Sequence, residues 1–190
     1  MNLQSICVYA SSSNAVAPAY MAAAEALGRE IAARGLTLVY GGGNLGLMGA
    51  VAQGARSGDG YIVGIMPEPL IAKGINCDIA DEVLVPRDLR ERKAWMEARA
   101  DAFVALPGGF GTLEEVLEIL TLRQLQQHVK PVVLLNSQAF FEPLLALFEH
   151  LYTERFAKPC RDFYHVAADT ADVFDYLDHF EPFEAPAKWL

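Results

Sequence analysis

The chain has 190 residues, 53% of them hydrophobic, which suits one domain with a substantial core. Its 24 acidic and 15 basic residues give a formal net charge of −9 at pH 7, which argues against nucleic-acid binding because that needs a basic surface. No stretch resembles a signal peptide or a membrane span, so we expect a cytoplasmic protein that binds neither nucleic acid nor membrane.

The cysteines and histidines also exclude some classes of site. Cys7, Cys77 and Cys160 are widely separated and odd in number, which predicts free or buried thiols and no disulfide framework. The four histidines show no metal-ligand spacing with each other or with cysteine, so we predict neither a metal site nor a cofactor.

Short β-rich runs alternate with windows of helical periodicity along the whole chain. The predicted strands span residues 5–9, 37–40, 61–65, 82–85, 102–106, 131–135 and 164–167. The predicted helices span residues 18–34, 45–57, 87–99, 112–127, 140–154 and 170–179. Residues 66–81 look irregular, and Gly35 is expected to end the first helix. Nearly continuous apolar strands with helical crossovers predict a single α/β domain, residues 1–180, built on a doubly wound parallel sheet, with residues 181–190 as a C-terminal tail.

Two glycine-rich stretches follow predicted strands and lead into predicted helices. They are "YGGGNLGLMG", residues 40–49, and "LPGGFGTLEE", residues 106–115. Glycine lets the backbone approach a ligand, and a helix start offers unpaired N–H groups, so such a loop can bind phosphate without a cationic side chain. Tight turns also favour glycine for structural reasons, but two such loops at one sheet edge favour function. Residues 41–46 contain G-x-G-x-x-G after the second strand, a weak match with no acidic ribose-binding residue behind it, and there is no Walker motif.

Thr112 and Glu115 have the spacing of a capping box, with Thr112 as the helix cap. That structural role is compatible with a chemical one, because a carboxylate fixed at a helix start is also well oriented. The neighbouring Glu114 and Glu118 are expected to be solvated.

The segment "DLRERKAWM", residues 88–96, predicts a helix whose apolar stripe is flanked by Arg92 and Lys93. Two cations beside a core-facing stripe need an anion or a route to water. The side chains could therefore reach solvent, pair with a glutamate, or face a pocket. The helix borders the same sheet edge as the glycine loops, which favours a pocket for Arg92.

Together, "GGGNLGLMG", "ERKAWM" and "PGGFGTLEE" resemble the LONELY GUY family of cytokinin-activating phosphoribohydrolases, many of which have been labelled "possible lysine decarboxylases". The resemblance runs from the first strand to about Phe180. It implies a Rossmann-like fold, a homodimer or larger homo-oligomer with sites near the subunit interface, and a nucleoside monophosphate as the small-molecule substrate. The implied reaction hydrolyses the N-glycosidic bond of adenosine 5′-monophosphates, with or without an N6 substituent, to free base and ribose 5-phosphate.

The resemblance also implies site residues. Arg92 and Glu115 match the family's catalytic arginine and glutamate. The matching nucleotide-binding positions are Lys93, Gly108, Gly109, Gly111, Thr112 and Thr121. We add Gly42, Gly43 and Ser12, which lie in the loops after the first two strands, as substrate-binding candidates. The sequence departs from the family pattern in two places. Ser11 stands where glycine is usual, which could alter contacts with the ribose. The region near Gly74 lacks the acidic residue that is common there, which could alter base specificity.

The residue chemistry agrees with that activity. Breaking a ribosyl–adenine bond builds positive charge at the anomeric carbon, which Glu115 could stabilise, or it could align a water or attack directly. The amides of residues 108–112 would hold the 5′-phosphate, and Arg92 could orient ribose or Glu115 or neutralise phosphate. Pyridoxal-dependent decarboxylation is disfavoured, since none of the five lysines lies in a Schiff-base setting. A non-catalytic module that binds a nucleotide or carries molybdenum cofactor is the alternative.

Overall fold

The structure is a computed structural model that describes residues 3–73, 75, 77–159 and 161–183. Its strands are β1 (Ser5–Tyr9), β2 (Thr37–Tyr40), β3 (Ile62–Ile65), β4 (Glu82–Leu84), β5 (Ala102–Ala105), β6 (Val132–Leu135) and β7 (His165–Ala167). They form one sheet in the order β4-β3-β2-β1-β5-β6-β7, and every neighbouring pair is parallel. The α/β fold class is confirmed, and each predicted strand agrees with the structure to within one residue at either end.

The helices are α1 (Pro18–Ala33), α2 (Gly46–Ser57), α3 (Glu68–Ile71), α4 (Leu89–Arg99), α5 (Phe110–Gln124), α6 (Glu142–Thr153) and α7 (Thr170–Asp178). All six predicted helices are present. The single turn α3 lies in the link predicted to be irregular, of which residues 74 and 76 fall outside the described residues. Gly35 follows the end of α1 with φ of +68°, a conformation that glycine adopts without strain.

The sheet divides the hydrophobic core in two, and β1 contributes to both halves. Ile6 and Val8 face the half covered by α1, α2 and α7. Cys7 and Tyr9 face the half that holds Met96 of α4 together with residues of α5. These β1 side chains are at most 3% exposed, because helices cover both faces of a parallel sheet.

The direction in which successive strands are added to the sheet reverses after β4, so that β5 lies on the other side of β1. The order runs from β1 outward to β4 on one side, and then from β5 to β7 on the other. Crossovers on opposite faces leave a crevice at the carboxyl ends of β1 and β5, which is where open parallel sheets bind ligands. The segments that carry the three motifs leave β2, β4 and β5, so the topology brings them to this edge.

Three smaller predictions can also be compared with the structure. No helix in the described part of the chain is long and apolar enough to cross a bilayer. Cys7 and Cys77 are free thiols, buried and half-buried respectively, whereas Cys160 lies outside the described residues. Phe183 stacks on Phe163, so the first part of the predicted tail packs on the domain, while residues 184–190 lie outside the described residues.

Candidate active site

A cleft of about 620 Å³ opens at the carboxyl ends of β1, β2, β3 and β5. Its volume is in the usual range for a small-molecule site. The predicted site residues that line it are Ser12, Gly43, Arg92, Gly109, Gly111, Thr112 and Glu115. The three motifs therefore meet in one place, as the sheet topology requires.

Arg92 and Glu115 form an ion pair inside the cleft. Asp88 caps α4 by accepting hydrogen bonds from the N–H groups of Arg90 and Glu91, and this fixes the helix start one turn before Arg92. The Nη2 atom of Arg92 lies 3.2 Å from Oε1 of Glu115, and the two side chains are only 12% and 11% exposed. Two of the alternatives predicted for Arg92 are therefore both correct: the side chain pairs with a glutamate, and it faces a pocket. Its Nε is buried and has no hydrogen-bond partner among the described residues.

Glu115 has an unusual protonation equilibrium, which burial causes and the pair with Arg92 opposes. Burial raises the pKa of Glu115 from its ordinary 4.5 to about 7, although the Arg92 guanidinium opposes that shift. Glu114 and Glu118 raise the pKa further, whereas Lys93 lowers it. A carboxyl that titrates near neutrality can exchange protons with a substrate or water at physiological pH.

The start of α5 corrects one prediction. The helix begins at Phe110 with Gly109 as its N-cap, so Thr112 is the third helical residue and no side chain caps the helix. The capping box of Thr112 and Glu115 is therefore wrong, since both residues lie inside the helix. The N–H of Leu113 donates to the carbonyl of Gly109 at 3.0 Å. The N–H groups of residues 110–112 consequently have no intrahelical acceptor and are suited to binding an anion.

Two of the predicted glycines serve the protein's own packing. Gly42 does not line the cleft; it has φ of +78° and lies against Met66 and Cys77. A Cβ on Gly108 would lie 2.1 Å from Oγ1 of Thr112, so this glycine makes room for the threonine side chain. Both are adjacent to residues that do reach the cleft.

Lys93 points away from the cleft, although a nucleotide contact was predicted for it. Its ammonium group pairs with Glu114 and Glu118, which corrects the expectation that these two carboxylates are simply solvated. One residue along a helix turns the side chain by about 100°, so Lys93 faces α5 while Arg92 faces the cleft. The side chain of Lys93 is 16% exposed.

Thr121 is also placed elsewhere. It lies nine residues after Thr112, about 14 Å along the helix at 1.5 Å per residue. Its Oγ1 donates to the carbonyl of Leu117 at 2.7 Å, and the residue lines a groove between α5 and α6. The structure does not bring Thr121 to the cleft of its own chain.

The turn after β1 shows what Ser11 does where the family usually has glycine. Its Oγ accepts a hydrogen bond from the N–H of Ser13, and its carbonyl accepts one from the N–H of Met48 at 3.1 Å. Only the bond to Ser13 depends on the serine side chain, whereas the carbonyl bond that ties the turn to α2 would also be made by glycine. Ser11 lines the cleft beside Ser12. The other departure, at Gly74, lies outside the described residues.

Several lining residues were not predicted individually, although the quoted glycine-rich stretches and the departure at Ser11 include some of them. They are Ala10, Ser11, Ser13, Gly41, Asn44, Leu45, Met48, Met66, Leu70, Ile75 and Phe110. Their shared signal is position, since almost all of them come soon after the end of β1, β2, β3 or β5. Within the described ranges, no group of three or more histidine, cysteine, aspartate or glutamate residues is arranged to hold a metal ion.

Comparison with known proteins identifies the family. The family model described as "Possible lysine decarboxylase" matches residues 48–177. A probable cytokinin riboside 5′-monophosphate phosphoribohydrolase of Oryza sativa subsp. japonica is 42% identical over 178 residues, which cover 93% of this chain and 78% of the relative. A cytokinin riboside 5′-monophosphate phosphoribohydrolase of Arabidopsis thaliana is 42% identical over 178 residues, which cover 93% of this chain and 82% of the relative.

Solved structures share the fold at lower identity. The molybdenum cofactor carrier protein of Chlamydomonas reinhardtii has a TM-score of 0.72 and 26% identity, over 93% of this chain and 97% of that one. The molybdenum cofactor binding protein of Rippkaea orientalis has a TM-score of 0.71 and 27% identity, over 94% of this chain and 97% of that one. With its family-model match and its relatives at 42% identity, the chain belongs to the "possible lysine decarboxylase" family, among the cytokinin riboside 5′-monophosphate phosphoribohydrolases.

Proposed function

We propose that this protein hydrolyses the N-glycosidic bond of adenosine 5′-monophosphates, with or without an N6 substituent, and releases the free base and ribose 5-phosphate. The observation that carries the proposal is the buried pair of Arg92 and Glu115 beside the open N–H groups at the start of α5, all in one cleft. A cation, a carboxyl that titrates near neutrality and an anion-binding helix start are the three parts that this hydrolysis needs.

The phosphate is assigned to the start of α5. The N–H groups of residues 110–112 lack intrahelical acceptors, and the helix dipole favours a negative charge at this end. The absence of side chains at Gly109 and Gly111 leaves the backbone accessible. Arg92 lines the same cleft and adds a positive charge that favours an anion there.

Glu115 is assigned to the bond that breaks. As the base departs, positive charge builds at C1′, and an ionised carboxylate close to it stabilises that charge. Water supplies the oxygen that C1′ gains, and its proton leaves through Glu115 to the departing base. Direct attack by the carboxylate, followed by hydrolysis of the ribosyl ester, gives the same products. Both routes require Glu115 to be ionised at the start.

The base is assigned to the apolar side of the cleft. Met48, Met66, Leu70 and Ile75 line it, and flexible thioethers adapt to ligands of different shape. A purine with an apolar N6 group would bury its surface there. The choice between adenine and an N6-modified adenine depends on these side chains.

The experiment is a substrate panel. The purified protein is incubated with AMP, N6-isopentenyl-AMP, adenosine, GMP and CMP, and free base is measured by chromatography. We expect base release from the adenine monophosphates and much slower release from adenosine. Tight nucleotide binding without any product would instead support the carrier alternative, which the likeness to molybdenum cofactor carrier proteins at 26–27% identity keeps open. The decarboxylase alternative is disfavoured, because no lysine lines the described part of the cleft.

We also propose that the protein forms a homodimer or a larger homo-oligomer. Thr121 does not reach the cleft of its own chain, so a nucleotide contact from this residue would have to be made in the cleft of a second copy. Phe110, at the cleft mouth, is 93% exposed in the single chain, which also favours a covering subunit. Sedimentation at micromolar concentration tests this proposal, and monomer alone would contradict it. The cytoplasmic location stays a prediction.

A further inference from the structure

Gly41 lies closer to Arg92 than any side chain would allow. A Cβ placed on Gly41 would be 2.1 Å from Nη2 of Arg92 and 3.0 Å from its Cζ, whereas real Cβ atoms essentially never come within 3.0 Å of another heavy atom. The third neighbour is Sδ of Met48, at 3.1 Å. A single methyl group at this position would therefore displace the guanidinium.

The need for glycine at this position comes from space and not from backbone conformation. The left-handed φ of +78° belongs to the next residue, Gly42, while Gly41 has no φ in that region. A left-handed φ therefore does not exclude alanine at position 41. An effect of Gly41→Ala would thus report on the contact with Arg92.

The crowded atom is also the one that pairs with the carboxyl. Nη2 of Arg92 touches Gly41 and lies 3.2 Å from Oε1 of Glu115. Because Nε of Arg92 has no partner among the described residues, that nitrogen does not hold the guanidinium in place. Movement of Nη2 away from Gly41 would change its distance to Glu115.

We propose that Gly41 is a positioning residue, whose missing side chain keeps open the space in which the Arg92 guanidinium pairs with Glu115. The first glycine loop then acts on the carboxyl indirectly, across the cleft, through the arginine. The geometric part of this proposal is independent of the proposed function, and only its effect on turnover rests on that function.

The consequence can be measured at Glu115. The ionisable groups that interact with it are Arg92 and Lys93 of α4, Glu114 and Glu118 of α5, and Cys7 and Tyr9 of β1. Arg92 is the strongest influence that lowers the pKa of Glu115 against burial. If Gly41→Ala pushes the guanidinium away, the pKa of Glu115 rises above about 7.

The first measurement is a pH titration of the Glu115 side-chain carboxyl by ¹³C NMR, with its signal assigned from the spectrum of Glu115→Gln. We expect Gly41→Ala to titrate at a higher pH than the wild type. Gly43→Ala is the matched control for the titration, since the three atoms nearest to its Cβ would all belong to the flexible side chain of Met48, with Cε at 3.1 Å. An unchanged titration in folded Gly41→Ala would overturn the proposal.

The second measurement is a double-mutant cycle with Arg92→Ala, which removes the group that Gly41 accommodates. We expect Gly41→Ala to lower the melting temperature of the wild type but not that of Arg92→Ala, because the methyl group then enters vacated space. Equal destabilisation in both backgrounds would count against the proposal, even if Gly41→Ala alone folds poorly.

Turnover gives the third measurement. A misplaced catalytic group can cost about 100-fold in rate, so we expect a loss approaching that size in Gly41→Ala, with no further loss when it is added to Arg92→Ala. Independent, multiplicative losses would contradict a shared mechanism. If the wild type releases no base from any nucleotide, the proposed function fails, while the titration and the stability cycle still decide the role of Gly41.

Discussion

The two glycine-rich loops look alike in the sequence but need their glycines for different reasons. In the first loop, Gly42 and Gly46 have φ of +78° and +59°, and Gly41 leaves room for Arg92. In the second loop, Gly109 and Gly111 have no atom within 4 Å of where a Cβ would lie, apart from their chain neighbours and the adjoining helix backbone, and neither has a positive φ. Backbone conformation and packing explain Gly41, Gly42 and Gly46 of the first loop, whereas neither explains Gly109 and Gly111 of the second, where we propose that a ligand does.

The first loop therefore has a mainly structural role at this sheet edge, whereas we assign ligand binding to the second. The first loop sets the backbone turn after β2 and the place of the Arg92 guanidinium. The second loop leaves bare backbone at the start of α5, beside Glu115. A glycine that the protein does not need for its own packing is a stronger sign of a binding site than a glycine count. Substitutions can test that division, because the two loops should lose different properties.

The largest effect is expected at Glu115, on the helix that follows the second loop. Glu115→Gln keeps the shape but removes the charge, so kcat/KM for AMP or its N6-substituted forms should fall about 100-fold or more. The protein should stay folded, because two contributions to stability oppose each other. The variant leaves the Arg92 guanidinium without its carboxylate, which costs stability, but it also removes a carboxyl that is unfavourable to ionise. The pKa of Glu115 is about 7 in the folded state and about 4.5 in the unfolded chain. The folded protein therefore loses stability as the pH rises from about 4.5 to about 7, because the carboxyl ionises more easily in the unfolded chain. Glutamine does not ionise and avoids this loss.

The neighbouring carboxylate provides the control for that variant. Glu114, whose side chain is 59% exposed, pairs with Lys93 outside the cleft. Glu114→Gln should change kcat/KM far less than Glu115→Gln does. A folded Glu115→Gln protein that cleaves at the wild-type rate would rule out the mechanism, and the second loop would then be a binding site without chemistry.

The pH profile is expected to show the next largest effect. Because hydrolysis requires ionised Glu115, kcat/KM should fall about tenfold per pH unit below about pH 7. The profile is measured with a substrate whose phosphate ionisation is followed separately by ³¹P NMR. In Glu115→Gln this acidic limb should be absent. Activity that increases towards low pH would instead make Glu115 an acid.

Much of the fold could be predicted from the sequence, but the site could be predicted only in part. Buried parallel strands leave sharp apolar runs, which is why their ends agree to within one residue. The start of α5 was missed because Thr112 resembles a cap, while Gly109 takes the extended cap conformation without any side-chain signal. The contact of Gly41 with Arg92 depends on how closely α4 approaches the loop after β2, and a one-dimensional pattern does not contain that distance.

Gly109→Ala and Gly111→Ala should each weaken substrate binding and leave the fold intact. Each methyl group would point into open space, so the free energy of unfolding should change by less than about 0.5 kcal/mol. In the complex, the same methyl group would lie where the phosphate approaches the backbone. KM for AMP should rise about tenfold, which corresponds to about 1.4 kcal/mol, and adenosine should be affected less because it lacks the phosphate. Equal changes in KM for AMP and adenosine would contradict the assignment of the phosphate to this loop.

Gly46→Ala should have the smallest effect on activity. In contrast to Gly109→Ala and Gly111→Ala, it should lower stability and leave substrate binding nearly unchanged. Its φ is +59°, and a Cβ there would lie 2.6 Å from the backbone carbon of Ser12, so neither conformation nor packing accepts a side chain. We expect a loss of about 1–3 kcal/mol in the free energy of unfolding, measured by urea denaturation. The folded fraction should keep a nearly normal KM for AMP.

Asn14→Ala is the control that distinguishes backbone strain at Gly46 from loss of the hydrogen bond between Gly46 and Asn14. The N–H of Gly46 donates to Oδ1 of Asn14 at 2.8 Å, and Asn14→Ala removes that hydrogen bond without forcing a side chain into the turn. It should cost about 1 kcal/mol, less than Gly46→Ala, because only the latter adds a backbone clash and a strained φ. If Gly46→Ala instead raised KM in a protein of unchanged stability, the first loop would serve recognition as the second does, and the distinction between the two loops would fail.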